Sequence, residues 1–258
     1  MNDVNNAKKR LGRPDVEGDI KRVWDVLASG GVAIYRSDIG YGVYAASKTG
    51  VDRINRAKGR GGHKRIGMAL GSQLSEEIHV IEPRRREMID CITKDYKLPL
   101  AVIATYRPDH PHMRAIEPDM LPLCTANGTV AGSMNSGGPF NEALFSLSYE
   151  KVLPFFGSSA NITGTGQRYR VKDIDPEILE IADIILDYGI PSFHYYNVAL
   201  TGINFDTFEV QRFGVAYDLI RDCLKRHFDV DLPEDPGRQI NPLGHTNEFG
   251  LEDLNAAT

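Results

Sequence analysis

Residues 53–65 are the most basic segment of the chain, with six basic residues, three glycines and no acidic residue. Arg53, Arg56 and Arg60 recur at helical spacing, so we expect them on one side of a helix. Glycines let a backbone approach a bound group, while Lys and Arg supply charge and forked hydrogen bonds. The segment could therefore hold a triphosphate, although it lacks a Walker sequence. The alternative is a solvated basic helix end, favoured by the helix dipole.

Short polar side chains follow an apolar run at residues 153–156. The segment reads Ser158-Ser159-Ala160-Asn161-Ile162-Thr163-Gly164. Hydroxyl and amide groups at the end of a strand can bind the phosphate or sugar of a ligand, which is where open α/β sheets usually bind one. The alternative is a turn or helix cap, because Ser and Asn also bond well to their own backbone.

A third segment, residues 35–43, passes from a strand into a turn punctuated by glycines. It reads Tyr35-Arg36-Ser37-Asp38-Ile39-Gly40-Tyr41-Gly42-Val43 and carries a hydroxyl, a carboxylate and a phenol. Such a loop can line a small-molecule pocket. The alternative is that Asp38 only caps the turn.

The periodicity of apolar residues predicts the elements that must position these segments. Helices are predicted at residues 16–27, 51–57, 84–93, 176–182 and 215–227. Strands are predicted at 31–35, 66–70, 99–106, 129–131, 152–156 and 184–186, with a hairpin formed by 198–203 and 208–213. The rest of 107–138 is interpreted as an irregular surface connection. Helices and strands intermix without strict alternation, which favours one mixed α/β layer structure.

The composition is that of an ordinary globular protein. The 258 residues are 41% hydrophobic and 25% charged, with a net charge of -5, which excludes a disordered or fibrous chain. No apolar run approaches the roughly 18 residues of a membrane span, and the N-terminus lacks the apolar core of a secretion signal. We therefore expect a cytoplasmic protein without a membrane role. A flexible leader is predicted at 1–14, one domain at 15–228 and a polar tail at 229–258.

Smaller groups of reactive residues are interpreted as structural. Three cysteines, at 91, 124 and 223, are too few and too scattered for a disulfide framework or a metal site, and are predicted to be small buried hydrophobes in a reducing compartment. His110 and His112 have no third metal ligand close in sequence, so a proline-rich surface loop is predicted. Residues 84–86 are three arginines that could touch RNA, but neighbouring glutamates favour a solvated helix start.

Taken in order, these segments resemble the YrdC-like family, whose best-known members are the threonylcarbamoyl-AMP synthases. That family carries P-T-[DE]-T-x-Y-G after a strand, then K-x-R with a nearby lysine, then S-A-N, and R-x-G near the end of the domain. The corresponding residues here are Ser37-Asp38-Ile39-Gly40-Tyr41-Gly42, Lys58-Gly59-Arg60 with Lys64, Ser159-Ala160-Asn161, and Arg212-Phe213-Gly214. The resemblance covers about residues 16–220.

The resemblance implies a fold and a reaction. The fold is a single α/β domain, with a twisted, mixed open sheet and flanking helices around a positively charged cavity. The reaction is that of a nucleotidyltransferase that uses ATP and Mg²⁺. The amine of threonine takes up bicarbonate, the resulting carbamate attacks the α-phosphate of ATP, and pyrophosphate leaves. The carbamoyl-adenylate then serves tRNA modification.

The resemblance also implies roles for particular residues. Lys58, Arg60 and Lys64 would hold the phosphates, and Lys58, Arg60 and Ser159 would be the catalytic residues. Ser159 and Asn161 would contact nucleotide or carbamate, Arg212 would close the nucleotide side, and Ser37 and Tyr41 would line the amino-acid end. No protein metal site is implied.

The sequence departs from the family at the acceptor end. Arg36 stands in place of the proline, Ser37 and Ile39 in place of the two threonines, and residues 129–135 lack the arginine of the family's V-R-x-P motif. The W-P-G-P-[LF]-T segment has no counterpart. Three hypotheses follow. The chain forms threonylcarbamoyl-AMP; it uses the same ATP site with another amine or a preformed carbamoyl compound; or it is a non-catalytic module that binds RNA or nucleotide.

Overall fold

One large mixed sheet lies at the centre of the computed structural model, which describes residues 12–59, 65–239 and 241. The helices are α1 Val16–Ala28, α2 Lys48–Ala57, α3 Gly71–Ile78, α4 Pro83–Asp90, α5 Pro111–Arg114, α6 Leu121–Cys124, α7 Gly138–Lys151, α8 Pro176–Glu180 and α9 Tyr217–Phe228. The strands are β1 Val32–Arg36, β2 Tyr41–Ala45, β3 Gly67–Met68, β4 Leu100–Thr105, β5 Thr125–Ala126, β6 Thr129–Met134, β7 Phe156–Ser159, β8 Ile184–Ile185, β9 Gly202–Asn204 and β10 Val210–Arg212. A π-helical turn, Cys91–Asp95, continues α4, and 3₁₀ turns lie at Val171–Asp173 and His194–Tyr196.

Within the described residues the sheet has ten strands, in the order β10-β9-β4-β6-β3-β7-β2-β1-β8, with β5 beside β6. The pairs β1–β8, β3–β6 and β4–β9 are parallel, and the other pairs are antiparallel. The predicted mixed α/β fold class is therefore confirmed. The predicted positive charge of a cavity depends on Arg60 and Lys64, which lie outside the described residues, and stays a prediction.

Most predicted elements are confirmed within a few residues. The predicted hairpin forms where β9 pairs with β10, with Val210 opposite Ile203. In the stretch expected to be irregular, the structure contains the short helices α5 and α6 and the full strand β6. The predicted leader is described only from residue 12. Of the predicted tail, Leu232 is buried and its carbonyl accepts a hydrogen bond of 3.0 Å from the Nε of Arg221 on α9.

The prediction of a strand at residues 152–156 is wrong in its bounds. Residues 138–151 form α7, which the sequence pattern did not predict, and Val152 ends that helix in the left-handed conformation with φ 49°. The strand begins only at Phe156. Helix α7 escaped prediction because its buried side includes Asn141 and Ser148, which interrupt the apolar periodicity of the helix.

An apolar cluster lies beneath the strands that carry the predicted ligand-binding segments. It includes Val43, Ile54, Met68, Phe156 and Ala160, each no more than 1% exposed. Burial of a large apolar side chain stabilises the fold by about 1.5–3 kcal/mol. The helix α2 and the strands β2, β3 and β7 are thus fixed to one another through a common core.

Buried His79 makes the stability of the fold dependent on pH. Its Nδ1 lies 2.9 Å from Ser75 Oγ and its Nε2 lies 3.2 Å from the carbonyl oxygen of Val130. Burial lowers the pKa of His79 to about 4. Between that value and the unfolded pKa of about 6.5 the unfolded chain binds the additional proton, so stability is complete above pH 6.5 and falls as the pH drops toward 4.

We expect the wild-type protein to lose about 3 kcal/mol of unfolding free energy through His79 between pH 6.5 and pH 4. Urea melts of the wild type and of His79→Gln at several pH values measure this loss, because carboxylates contribute equally to both proteins. The difference between the two proteins should shrink as the pH falls. Parallel curves over that range would contradict the assignment.

Candidate functional site

The ends of several strands bring three predicted segments to one place. Strand β2 pairs with β7 in the register that puts Gly42 opposite Ser159, so the start of β2 and the end of β7 are adjacent. The amide of Ala160 then donates to the carbonyl of Tyr41 at 2.8 Å. Residues 37–40, the β1–β2 turn, and residues 158–164, the Ser-rich turn, therefore lie side by side. The predicted proximity of Ser37, Tyr41, Ser159 and Asn161 follows from this pairing.

Lys58 ties the basic segment to the Ser-rich turn. It caps the C-terminus of α2 and is 1% exposed. Its Nζ donates to the carbonyl oxygens of Ser159 and Asn161, each at 2.5 Å, and its own carbonyl accepts from the amide of Thr163 at 3.1 Å. A buried ammonium needs such acceptors, because leaving its charge unsolvated is costly. Lys58 thus fixes the shape of the turn, and its predicted contact with phosphate stays a prediction.

The remaining basic residues of the segment lie in different surroundings. Arg53 pairs with Asp183 at 2.9 Å, Arg56 is exposed, and the Nε of Arg65 donates to the carbonyl of Thr125 at 2.8 Å. Arg60 and Lys64, both predicted to hold phosphates, lie outside the described residues. Three residues of this segment are predicted to hold phosphates. Of these, Lys58 is the one whose surroundings the structure describes.

Ser37 and Tyr41, predicted to line the amino-acid end, both make internal hydrogen bonds. Ser37 Oγ donates to the carbonyl of Gly40 at 2.8 Å and accepts from the Gly40 amide at 3.1 Å, which closes the β1–β2 turn. The hydroxyl of Tyr41 lies 2.9 Å from Asp187 Oδ1 and 3.0 Å from the carbonyl of Gly189. Burial, followed by the hydrogen bond to Asp187, raises the pKa of Tyr41 far above its usual value, so the phenol stays protonated.

Asp187 and Asp38 connect further loops to the start of β2 and to the β1–β2 turn. Asp187 follows β8, which runs parallel to β1, so it comes to the edge where β1 ends. No motif marks Asp187 in the sequence, because a carboxylate directly after an apolar strand is too general a pattern to identify a site. Asp38 does not cap its own turn. Its amide donates to Ser136 O at 2.8 Å, and its Oδ1 accepts from Ser192 Oγ at 3.2 Å.

A cavity of about 510 Å³ continues from the Ser-rich turn. Its wall consists of Gly164, Thr165, Gly166, Gln167, Arg168, Tyr169, Asp173 and Asn197. The volume falls within the range of about 300–1,000 Å³ that small-molecule sites occupy. In or beside this wall, four buried polar atoms have no hydrogen-bond partner among the described residues: Asn161 Oδ1, Thr163 Oγ1, Gln167 Oε1 and the Tyr169 hydroxyl oxygen. Buried polar atoms are rarely left unpaired, so these four atoms mark this part of the Ser-rich turn and the wall as unusually polar.

An ion pair holds the cavity wall in place. Arg168 Nη2 lies 3.0 Å from Asp175 Oδ2, and the same guanidinium donates to the carbonyl of Thr165 at 2.9 Å. Asp175 Oδ2 also accepts from the amide of Ile162 at 3.3 Å. The pair therefore connects the Ser-rich turn to the wall and to the start of α8.

We expect Asp175→Asn to loosen this wall without unfolding the protein. The half-buried pair contributes on the order of 1 kcal/mol, so the amides of Ile162 and Thr165 should exchange hydrogen about fivefold faster. Hydrogen exchange followed by mass spectrometry measures this rate. The control is Asp173→Asn, which removes an exposed carboxylate from the same wall. Equal exchange in both variants would contradict the role of the pair.

Arg212 lies on a different strand from the other predicted site residues. It ends β10 at the far edge of the sheet, five strands from β7 in the strand order. Its Nη1 lies 3.4 Å from the carbonyl of Leu200, and its buried Nε has no hydrogen-bond partner among the described residues. Burial lowers the pKa of Arg212 to about 10. An anion beside this guanidinium would stabilise its charged form.

Two interpretations of basic and histidine clusters need correction. The helix start at residues 84–86 is not solvated as predicted, because Arg85 and Arg86 donate hydrogen bonds to backbone carbonyls elsewhere in the protein. Arg85 Nη1 donates to the carbonyl of Asp206 at 2.6 Å, and Arg86 Nη2 donates to that of Ser75 at 3.1 Å. His112 is not on a surface loop either, because it is 2% exposed and its Nε2 lies 2.9 Å from Ser148 O. Among the described residues, no three His, Cys, Asp or Glu side chains gather as a metal site.

Comparisons with known proteins identify the fold. No family model and no curated protein sequence matches the chain. The hypothetical protein smu.1377c from Streptococcus mutans UA159 has a TM-score of 0.70 at 17% identity, over 81% of this chain and 92% of that chain. Sua5 from P. abyssi, solved with L-threonine, has a TM-score of 0.62 at 20% identity, over 79% of this chain and 56% of Sua5. Full-length HypF in a phosphate- and nucleotide-bound form has a TM-score of 0.58 at 12% identity, over 80% and 26%.

These likenesses define a class of fold. Sua5 is a YrdC-family protein and HypF contains a YrdC-like domain, so this chain has a divergent YrdC-like fold. The match spans 56% of the length of Sua5 and 26% of that of HypF. In the part of the chain that the structure describes, no helix is both long and apolar enough to cross a membrane.

Proposed function

We propose that this protein uses ATP and Mg²⁺ to form a carbamoyl-adenylate, with release of pyrophosphate. The observation that carries the proposal is the Lys58 ammonium bonded to the carbonyls of Ser159 and Asn161. This contact places the end of α2, which belongs to the basic segment, next to the Ser-rich turn. Both lie beside a cavity with unpaired polar atoms. The likeness to HypF in a phosphate- and nucleotide-bound form supports the same assignment.

The proposed reaction requires the protein to position the carbamate and ATP and to neutralise phosphate charge. It requires no covalent intermediate with the protein. An amine condenses with bicarbonate to give a carbamate and water. The carbamate oxygen then attacks the α-phosphorus while the bond to pyrophosphate breaks. The phosphates would be held by Lys58, Arg60 and Lys64, and Arg212 would close the nucleotide side. Ser159 and Asn161 would orient the carbamate or the α-phosphate. Mg²⁺ would neutralise charge on the departing phosphates, which are its usual ligands in such sites.

A second candidate function, the use of an acceptor other than threonine, rests on a separate observation. The hydroxyls of Ser37 and Tyr41 are both engaged within the protein, with Gly40 O and with Asp187. Residues 129–135 contain no arginine that could hold a carboxylate. These features favour an amine or carbamoyl compound of a different shape at the acceptor end.

The test is the release of pyrophosphate from ATP by the full-length protein. With Mg²⁺ and bicarbonate present, threonine or another member of a panel of amines should raise the rate of pyrophosphate formation well above that of ATP alone. Omission of bicarbonate should remove the increase. If no amine or carbamoyl compound stimulates release, the enzymatic proposal fails. Binding of duplex RNA with a steep salt dependence would then favour the non-catalytic alternative.

A further inference from the structure

Two of the three cysteines face one another across an interface between distant parts of the chain. Cys91 begins the π-helical turn, Cys223 lies within α9, and their Sγ atoms are 3.5 Å apart although 132 positions separate them in sequence. Cys223 is fully buried, whereas Cys91 is half-buried. Both are thiols in the structure.

The same two elements are joined by a second side-chain contact. The hydroxyl of Tyr96, which follows the π-helical turn, lies 2.6 Å from Nε2 of His227 on α9. The turn itself is closed by the bond from the amide of Tyr96 to the carbonyl of Cys91 at 2.9 Å. Leu224 and Ile92 are buried in the same apolar cluster. The backbones that carry the two sulfurs are therefore held against one another independently of the thiols.

We propose that Cys91 and Cys223 form a reversible intramolecular disulfide when the protein meets a low-molecular-weight disulfide oxidant. A sulfur–sulfur bond is about 2.05 Å long, so the two sulfurs must approach by roughly 1.5 Å. Rotation about the χ1 bonds of the two cysteines is the movement that would have to close this gap. Cys124 and Cys223 are buried, as the sequence predicts. The proposed disulfide adds, at Cys91 and Cys223, a modification site that lies outside the proposed nucleotide site.

The chemistry balances with oxidised glutathione as the oxidant. The thiolate of half-buried Cys91 attacks one glutathione sulfur and releases the first glutathione thiolate, which leaves a mixed disulfide on Cys91. The sulfur of Cys223, after losing its proton to solvent, attacks Cys91 Sγ and releases the second glutathione. Two protein thiols become one disulfide, and one oxidised glutathione becomes two reduced molecules. Burial raises the pKa of Cys223 to about 12, so the second step should accelerate with rising pH.

The third cysteine provides the matched control. Cys124 ends α6, is buried in a different apolar cluster, and its Sγ lies 3.4 Å from the carbonyl of Leu121. Burial raises its pKa to about 12 as well. Cys124 therefore has a similar environment without a partner thiol.

The experiment incubates the native full-length protein with oxidised glutathione, quenches it with an alkylating agent under denaturing conditions and maps the peptides without reduction. We expect a mass lower by about 2 Da, a cross-linked peptide pair containing Cys91 and Cys223, and alkylation of Cys124 alone. Because the bond closes a loop of more than 100 residues, the melting temperature should rise by on the order of 10 °C and return after reduction. Cys124→Ser should keep the cross-link and Cys91→Ser should lose it.

The opposite results would overturn the proposal. Three alkylated thiols after prolonged oxidation at pH 8.5, or a stable glutathione adduct on Cys91 without a cross-link, would mean that the sulfurs cannot meet. A cross-link that includes Cys124, or one found only between two chains, would also contradict it. Pyrophosphate release plays no part in these readouts, so failure of the proposed function would leave them unchanged.

Discussion

Replacing Lys58 by methionine should reduce nucleotide turnover at least 100-fold and lower the free energy of unfolding by about 3 kcal/mol. Methionine retains most of the apolar stem but donates no hydrogen bond. The carbonyls of Ser159 and Asn161 would lose the ammonium that now lies 2.5 Å from each of them. The Ser-rich turn would lose its geometry and the proposed site its nearest buried cation. Initial rates of pyrophosphate release and urea melts measure the two effects separately.

The matched control for Lys58 is Arg56→Met. Arg56 lies two residues earlier near the same helix end and carries the same charge, but its side chain is exposed. Its loss should change stability by less than about 0.5 kcal/mol and turnover by only a few-fold. Equal effects of the two substitutions would mean that stability and turnover depend on the positive charge at the end of α2, and not on the hydrogen bonds from Lys58 to the Ser-rich turn.

Replacing Gly214 by alanine should destabilise the protein by about 3 kcal/mol and lower its melting temperature by roughly 10 °C. A Cβ atom at this position would lie closer than 3.0 Å to the backbone of Ala199, Leu200 and Thr201. The amide of Gly214 donates to Thr201 Oγ1 at 3.1 Å, so the two segments cannot separate without breaking this bond. The glycine of the Arg212-Phe213-Gly214 motif is thus explained by the close approach of two backbones. Thermal melts measure the effect.

The control for Gly214 is Gly202→Ala on the neighbouring strand. A Cβ atom at Gly202 would have its nearest neighbours at 3.6 Å or more, an ordinary contact distance. We expect a change within about 0.5 kcal/mol of wild type. If Gly214→Ala melts at the same temperature as Gly202→Ala, the backbone contact does not explain the motif.

The sequence predicted the parts of the fold in which local pattern and burial agree. The continuous apolar run at residues 99–106 became β4, and the helical spacing at 16–27 became α1. The prediction that Ser159 and Asn161 act at the same site as the basic segment rested on the resemblance to the YrdC-like family. That these residues lie near Lys58 could be expected from the order of the motifs. That the Lys58 ammonium bonds to their backbone carbonyls could not.

What the sequence could not predict depends on contacts between distant residues. The amphipathic pattern of α7 is hidden because Asn141 and Ser148 lie on its buried side. Asp187 belongs to the site only because β8 pairs in parallel with β1, a pairing that no local motif specifies. The facing sulfurs of Cys91 and Cys223 depend in the same way on the packing of α9 against the π-helical turn.

The most direct test of the central claim is a crystal structure of the protein soaked with Mg²⁺ and a non-hydrolysable ATP analogue. We expect electron density for the triphosphate beside residues 158–161 and Lys58, with the remainder of the nucleotide in the cavity walled by residues 164–169. Density for the nucleotide at another surface, or an empty cavity at saturating analogue, would contradict a nucleotide site at Lys58 and the Ser-rich turn.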